Sequence, residues 1–187
     1  MIKPTKEEAE QAVKTLLDYI GDDATREGLK DTPARVIRSY NELFVGYQDS
    51  VAAILNKRFT DISEYNDVVL LKSIDFTSTC EHHMLPFSGT VDIAYIPNGV
   101  VIGLSKLARL VDLFSKRLQI QERMTANIAT ALQENLIPLG VAVRVSATHS
   151  CMTIRGALKC RSVMNTTHFT GVYNEQAKRQ EFWEMLK

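Results

Sequence analysis

Thr79-Cys80-Glu81-His82-His83-Met84-Leu85-Pro86 is the stretch around which the chain is organised. It places a thiol, a carboxyl group and two imidazoles at four consecutive positions. The segment before it, Val68 to Phe76, is rich in β-branched and apolar residues, and Thr90 to Ile96 after it alternates apolar with polar residues. Both segments are predicted strands. The first strand therefore delivers the chain to a cluster of ligand-type side chains.

A second cluster of the same kind is His149-Ser150-Cys151. The chain has four histidines and three cysteines, so most of its imidazole and thiol groups lie in these two clusters. Zinc prefers thiolate and imidazole, and a catalytic zinc takes three protein ligands and keeps a fourth position for water. Cys80, His83 and Cys151 would make such a set. The alternative, on the residues alone, is that both cysteines are buried apolar thiols and the histidines are solvated.

Composition excludes several classes of protein. The 187 residues form one domain, or one domain with an N-terminal extension. Lysine plus arginine balance aspartate plus glutamate at 22 each, so no overall field draws the chain to nucleic acid or to an anionic membrane. An odd number of cysteines argues against a disulfide scaffold and for a reducing compartment. Because neither a signal peptide nor a membrane-length apolar run is present, we predict a soluble cytoplasmic protein.

Residues 1–65 are predicted to form an N-terminal helical extension, and residues 66–187 a catalytic domain. A capping box begins the first helix at Thr5, and Thr32-Pro33 begins the second, with Thr32 as the N-cap. Arg35 and Arg38 are three residues apart and share one face of that second helix. Their spacing alone favours an ordinary solvated face.

The catalytic domain is predicted to run strand, strand, helix, helix, strand, strand, followed by a C-terminal helix or frayed end. This order predicts an α+β fold, an antiparallel four-stranded sheet with two long helices on one face. Asn98-Gly99 predicts a hairpin whose return strand is Val100 to Ile102. His149 and Cys151 are predicted to face one way, because residues two apart on an extended chain do so. The two exposed edges of such a sheet favour oligomerisation.

Several polar side chains are candidates for holding a substrate. Ser105, the predicted N-cap of the first long helix, lies with Lys106 and Arg109 near a helix N-terminus, which suits phosphate. Arg155 adds a cation near Cys151. The alternative is that these cations are merely exposed. Glu122, at the start of the second long helix, can accept two N–H bonds from a guanine edge, but is also favourable there to the helix dipole.

Five motifs in the same order resemble the GTP cyclohydrolase I family over residues 5 to 173. They are Asp31-Thr32-Pro33-Ala34-Arg35-Val36, Thr79-Cys80-Glu81-His82-His83, Gly103-Leu104-Ser105-Lys106-Leu107-Ala108-Arg109, Gln119-Ile120-Gln121-Glu122-Arg123, and His149-Ser150-Cys151-Met152 followed by Arg155-Gly156. The resemblance implies the T-fold and a homodecamer with active sites at subunit interfaces. It implies conversion of GTP and water to formate and 7,8-dihydroneopterin triphosphate, the entry to folate or tetrahydrobiopterin synthesis.

The resemblance also implies a role for each matched side chain. Cys80, His83 and Cys151 would hold Zn2+, which would activate water for attack at C8 of the guanine. His149 would protonate N7, and His82 would serve ring opening and the later ribose rearrangement. Gln121 and Glu122 would hold the guanine edge. The triphosphate would be held by six side chains, two of them from another subunit: Ser105, Lys106, Arg109 and Arg155, with Arg35 and Arg38 from the other subunit.

The chain departs from the family pattern in the last predicted strand, Val163 to Tyr173. Ser162-Val163-Met164-Asn165-Thr166-Thr167-His168 stands where the family has a run richer in threonine and serine, and Cys160 is an addition. Neither departure is expected to touch the metal or GTP residues. Two alternatives remain open. The first is a non-catalytic nucleotide-binding or structural protein in which His82 or His149 is a fourth protein ligand of the zinc. The second is another T-fold enzyme that acts on a pterin or a deazapurine.

Overall fold

The computed structural model describes residues 2–62 and 64–187, which form two compact units, Met1–Val45 and Gly46–Lys187. The first unit contains helices α1 (Lys6–Tyr19) and α2 (Thr32–Leu43). The capping box is confirmed, since the side chains of Thr5 and Glu8 each accept a hydrogen bond from the other residue's backbone N–H. The predicted cap of α2 is wrong: Thr32 donates its N–H to Leu29 and is already helical, so Asp31 takes the cap position. The predicted boundary of a catalytic domain after residue 65 stays a prediction.

The second unit is built on a five-stranded sheet with the strand order β5-β2-β3-β6-β7. Its helices are α3 (Val51–Ile54), α4 (Leu104–Ser115), α5 (Gln121–Leu136), α6 (Ser150–Thr153) and α7 (Gln176–Met185). Its strands are β1 (Arg58–Phe59), β2 (Val69–Cys80), β3 (Pro86–Ile96), β4 (Val101–Ile102), β5 (Leu118–Gln119), β6 (Gly140–His149) and β7 (Met164–Phe169). The four longer strands of the sheet pair antiparallel, which confirms the predicted α+β T-fold arrangement. Sequence patterning missed β5, a two-residue strand that lies parallel to β2.

Alternation along the central strands divides the core between the two faces of the sheet. Val91 and Ile93 of β3 point to the face covered by α4 and α5, where they are fully buried. Ala94 points to the other face, where it packs in a smaller cluster with Tyr173 and with Phe182 of α7. The two long helices therefore lie on one face, as predicted, and the C-terminal segment is an ordered helix.

Two local predictions for the segment between β3 and α4 are wrong. Asn98-Gly99 does not form a hairpin with β3, because β2 and β6 already occupy both edges of that strand. The return segment, β4, pairs instead with β1. Ser105 is not the N-cap of α4: Gly103 takes that position, and its carbonyl accepts the Lys106 N–H at 2.8 Å. None of the described helices is both long and apolar enough to cross a membrane.

Candidate metal centre and active site

Sheet register brings distant segments together where β2 ends and β3 begins. Thr79 pairs with Pro86 across the turn that contains the two histidines. Phe87, one residue into β3, pairs with His149 at the end of β6. On the other side, Cys80 pairs with Gln119 of β5, directly before α5. The first cluster, the second cluster and the start of α5 therefore meet at one end of the sheet.

A tight turn after β2 holds His83 close to Cys80. The Cys80 carbonyl accepts the Met84 N–H at 2.8 Å, and the Cys80 N–H donates to Leu85 at 2.9 Å. Met84 takes a positive φ of 53° to close the turn. The ligand atoms of Cys80, His83 and Cys151 all lie within 4.8 Å of one another. The predicted ligand set is thus assembled within one chain.

The donor chemistry of these three residues fits a bound metal ion. A tetrahedral zinc with Zn–S of about 2.3 Å and Zn–N of about 2.0 Å spaces its ligand atoms by roughly 3.5–4 Å, which is compatible with ligand atoms that all lie within 4.8 Å of one another. Partial burial raises the pKa of the Cys151 thiol, and the neighbouring Cys80 raises it further. Two adjacent thiolates repel unless a cation offsets their charge. The cluster can therefore hold a metal, and a cation would favour its ionised form.

The reason predicted for the placement of Cys151 is wrong, although its sulfur does lie beside Cys80 and His83. The extended chain ends at His149, and Cys151 lies in the short helix α6. A turn of helix, rather than strand alternation, brings its sulfur to Cys80.

His149 is held on two sides. Its ring stacks on Phe87 with centroids 4.5 Å apart and planes 4° from parallel. Its Nε2 atom lies 2.8 Å from the Gln121 Oε1 atom. Burial lowers the pKa of His149, and the Glu122 carboxylate opposes this only in part, so the neutral ring is favoured. His82 is exposed, with its Nδ1 atom 3.9 Å from the Cys80 sulfur.

The two residues predicted for the guanine edge differ in their surroundings. Gln121 is 1% exposed, and its side-chain nitrogen donates to the Val145 and Met164 carbonyls and to the Thr166 hydroxyl. Glu122 is exposed. The contact with Thr166 means that the unusual last strand does touch a predicted GTP residue, contrary to expectation. Patterning missed Phe87 and Thr166, because only pairing across the sheet brings them to the site.

The carboxylate of Glu81 is directed away from the three ligands. It forms an ion pair with Arg123, which Gln119 orients by accepting a hydrogen bond from Nε at 3.0 Å. This pair ties the histidine turn to the first turn of α5.

The predicted triphosphate residues are spread over the chain. Ser105 and Lys106 lie at the start of α4, Arg109 one turn later, and Arg155 just after α6. Within the part of the chain that the structure describes, Lys106, Arg109 and Arg155 form no salt bridge. Arg35 and Arg38 are exposed on α2 of the first unit, where Arg35 lies 3.6 Å from Asp31.

The start of α4 lies far from the metal ligands within one chain. Ile102, just before α4, donates its N–H to the Tyr95 hydroxyl, and Tyr95 pairs with Val69 at the beginning of β2. Cys80 is at the opposite end of that strand, 12 residues long. Because α4 has 12 residues, its first residue is also about 18 Å from its C-terminal end. Ser105 and Lys106 are therefore near one end of the sheet and the three ligands near the other.

A small cavity opens beside His149. Its volume is about 240 Å³, and its lining is Ala147, His149, Met152, Ser162, Val163 and Met164. A larger cavity of about 580 Å³, beside Asp75 and Asp112, includes none of the predicted site residues. The cavity at His149 is the relevant one, because its lining includes His149 and Met152, the latter directly after Cys151 in the sequence.

Comparison with known proteins covers nearly the whole chain. The family model described as GTP cyclohydrolase I matches residues 9–187. A protein named GTP cyclohydrolase 1 from Rickettsia felis (strain ATCC VR-1525 / URRWXCal2) is 62% identical over 178 residues, covering 95% of this chain and 94% of the relative. One of the same name from Rickettsia akari (strain Hartford) is 59% identical over 183 residues, covering 97% and 96%. The solved apo archaeosine synthase QueF-Like aligns with 56% of this chain and 93% of its own at 20% identity and a TM-score of 0.45.

Proposed function

Because the chain belongs to the GTP cyclohydrolase I family, we infer that it converts GTP and water to 7,8-dihydroneopterin triphosphate and formate. It is a hydrolase that opens the guanine ring at C8 and serves the first step of pterin synthesis. The observation that carries this proposal is the Cys80, His83 and Cys151 cluster beside the stacked imidazole of His149.

Zinc is the metal proposed for the three ligands, because two thiolates and one imidazole are the borderline-soft donors that it prefers. When bound, zinc supplies the Lewis acidity that makes water nucleophilic near neutral pH. Cys80, His83 and Cys151 would supply the protein ligands and leave His82 and His149 free for proton transfer.

The remaining side chains of the site would bind and protonate the purine. His149 would take up a proton and deliver it to N7 of the guanine, since its ring is fixed beside the ligands. His82, exposed on the same turn, would transfer protons during ring opening and ribose rearrangement. The Glu122 carboxylate would accept hydrogen bonds from the N–H groups of the guanine edge. Gln121, the preceding residue, lies at the same end of α5.

The triphosphate would be held by side chains from more than one subunit. Lys106, Arg109 and Arg155 have no carboxylate partner within the described residues, which leaves their charge for phosphate oxygens. Ser105 would add a hydroxyl at the same helix start, and Arg35 and Arg38 of another subunit would add two cations. The cavity at His149, about 240 Å³, is smaller than the roughly 300–1,000 Å³ usual for ligand pockets, so a neighbouring chain would complete the site.

We propose a homo-oligomer, a decamer by family resemblance, in the cytoplasm, where its three free cysteines stay reduced. Analytical ultracentrifugation of the zinc-loaded protein tests the assembly.

The activity is tested by incubating the zinc-loaded protein with GTP and measuring formate together with the pterin product. We expect both in equal amounts, with one zinc per chain. Cys160→Ser is a matched control, since it removes a thiol that is exposed outside the ligand set, and it should retain zinc and turnover. Full zinc content without formate release from GTP would instead support a zinc that only stabilises the fold.

A further inference from the structure

We propose that Gln121 is a positioning residue that holds His149 as the Nε2–H tautomer, with the hydroxyls of Thr125 and Thr166 fixing the carboxamide. The inference rests on the proposed function for the catalytic role of His149, and concerns which nitrogen of that ring exchanges the proton. It assigns Gln121 an action through His149 instead of a direct contact with the guanine.

The orientation of the Gln121 carboxamide follows from its neighbours. One of its terminal atoms lies 3.1 Å from the Val145 carbonyl and 3.0 Å from the Met164 carbonyl. Carbonyl oxygens only accept hydrogen bonds, so the atom that faces them must be the NH2 group. The other terminal atom, Oε1, then faces His149 Nε2 at 2.8 Å. Because this oxygen also only accepts, Nε2 must carry the hydrogen.

The hydroxyls of Thr125 and Thr166 form hydrogen bonds whose donors and acceptors are compatible with this orientation of the carboxamide. The Thr125 hydroxyl lies 2.7 Å from the Gln121 backbone carbonyl, to which it must donate. Its single hydrogen is thereby used, so at 2.6 Å it accepts from the Thr166 hydroxyl. The Thr166 hydroxyl oxygen faces the Gln121 NH2 group at 3.1 Å and shares its two hydrogens with the two carbonyls. A flipped carboxamide would place its oxygen against two carbonyls and break the cycle, which leaves one orientation.

Stacking on Phe87 fixes the plane of the same ring. With the plane held by Phe87 and Nε2 bonded to Gln121, Nδ1 is the nitrogen of His149 left to exchange a proton with substrate. Both ends of the Gln121 carboxamide are bonded inside its own chain, and its side chain is nearly inaccessible. A direct guanine contact would require breaking these bonds, whereas the exposed Glu122 needs no such change.

The kinetic test compares Gln121→Leu with Gln133→Leu in the zinc-loaded enzyme. Gln133 is a matched control on the same helix, where its carboxamide also bridges a carbonyl and a threonine hydroxyl, at Pro138 and Thr170. Partners that orient a metal-site group typically contribute about 10–100-fold to activity, so Gln121→Leu should lose that much kcat with little change in KM for GTP. The control should keep wild-type kcat. A steep rise in KM with kcat unchanged would overturn the proposal, because it would place Gln121 on the guanine.

The spectroscopic test observes the tautomer directly and does not depend on turnover. In zinc-loaded protein labelled with 15N-histidine, at a pH where the rings are neutral, the His149 signals are identified by their loss in His149→Gln. We expect a protonated Nε2 and an unprotonated Nδ1 in the wild type and the Gln133 control, and loss of this preference in Gln121→Leu. A protonated Nδ1 in the wild type would overturn the proposal, even if the protein did not hydrolyse GTP.

Thr166 provides a milder variant if Gln121→Leu does not fold. Thr166→Val removes the hydroxyl that accepts from the carboxamide, whereas Thr166→Ser keeps it. We expect Thr166→Val to lower kcat and weaken the preference for the Nε2–H tautomer, because only the two carbonyls then orient the carboxamide, and Thr166→Ser to keep both at the wild-type level. Equal kcat and equal His149 signals in the two variants would contradict a positioning network.

Discussion

The separation between the start of α4 and the metal ligands makes shared active sites testable. β2 has 12 residues, so at about 3.3 Å per residue its ends are up to roughly 36 Å apart before curvature. Lys106 lies near the Val69 end and Cys80 at the other. One GTP held by both side chains must therefore draw them from different subunits. The perturbation is a pair of inactive variants, Cys80→Ser and Lys106→Glu, mixed in one assembly.

Each parent variant should be folded and inactive for a different reason. Cys80→Ser removes a metal ligand. Lys106→Glu removes a charge-assisted hydrogen bond to phosphate, worth about 1.5–3 kcal/mol, which is roughly 10- to 150-fold in kcat/KM, and adds a repelling carboxylate. Lys106 is partly exposed and forms no salt bridge within the described ranges, so its replacement should leave stability nearly unchanged.

Equal amounts of the two variants are denatured, mixed, refolded with zinc and assayed for formate. If chains mix at random in a symmetric ring, about half of the sites have an intact Cys80, and about half of those have an intact neighbouring Lys106, so about a quarter of wild-type activity should return. Lys116→Ala mixed with Cys80→Ser is the control. Lys116, at the other end of α4, forms an ion pair with Asp112 and is not among the predicted site residues, so that mixture should retain about half of wild-type activity. Hetero-oligomers confirmed by native mass spectrometry that regain no activity would refute shared sites.

Four further variants test single side chains. Cys151→Ser should lose zinc and activity together, as measured by metal analysis and formate release, and full zinc occupancy would remove Cys151 from the ligand set. His149→Ala should keep zinc but lose about 10²–10⁴-fold in kcat; lost zinc would make it a ligand. Glu122→Ala should raise KM for GTP, since leaving the N–H groups of the guanine edge without a hydrogen-bond partner costs about 1–3 kcal/mol of binding free energy. A normal KM would place guanine recognition elsewhere. Burial raises the pKa of Tyr173 to about 12, so folding stability should fall as pH rises from about 10 towards that value. Tyr173→Phe should be at least as stable in urea, because the buried hydroxyl has no partner among the described atoms, and its stability should fall less over this pH range than that of the wild type.

Local chemistry was predictable from the sequence wherever neighbouring residues decide it. The capping box at Thr5, the helix over Gln121–Leu136 and the alternating strand that begins with Val141, Val143 and Val145 follow from caps and hydrophobic period, which act over a few residues. The ligand set Cys80, His83 and Cys151 was predictable for a similar reason, since few other thiols and imidazoles exist to compete with it. A local turn signal was overruled where it conflicted with strand pairing. Asn98-Gly99 predicted a hairpin, but both edges of β3 were already paired with β2 and β6.

Only the tertiary structure decided how the site is oriented. The stacking of Phe87 on His149 depends on the β3–β6 register, and the hydrogen bond between that ring and Gln121 depends on a single residue separating β5 from α5. Thr166 reaches the carboxamide because β7 pairs with β6. These contacts join residues separated by 28 to 62 positions, and no periodicity in a sequence encodes such distances. Sequence alone therefore predicted which groups are candidates for the chemistry, and chain packing determined which atom of each group faces its partner.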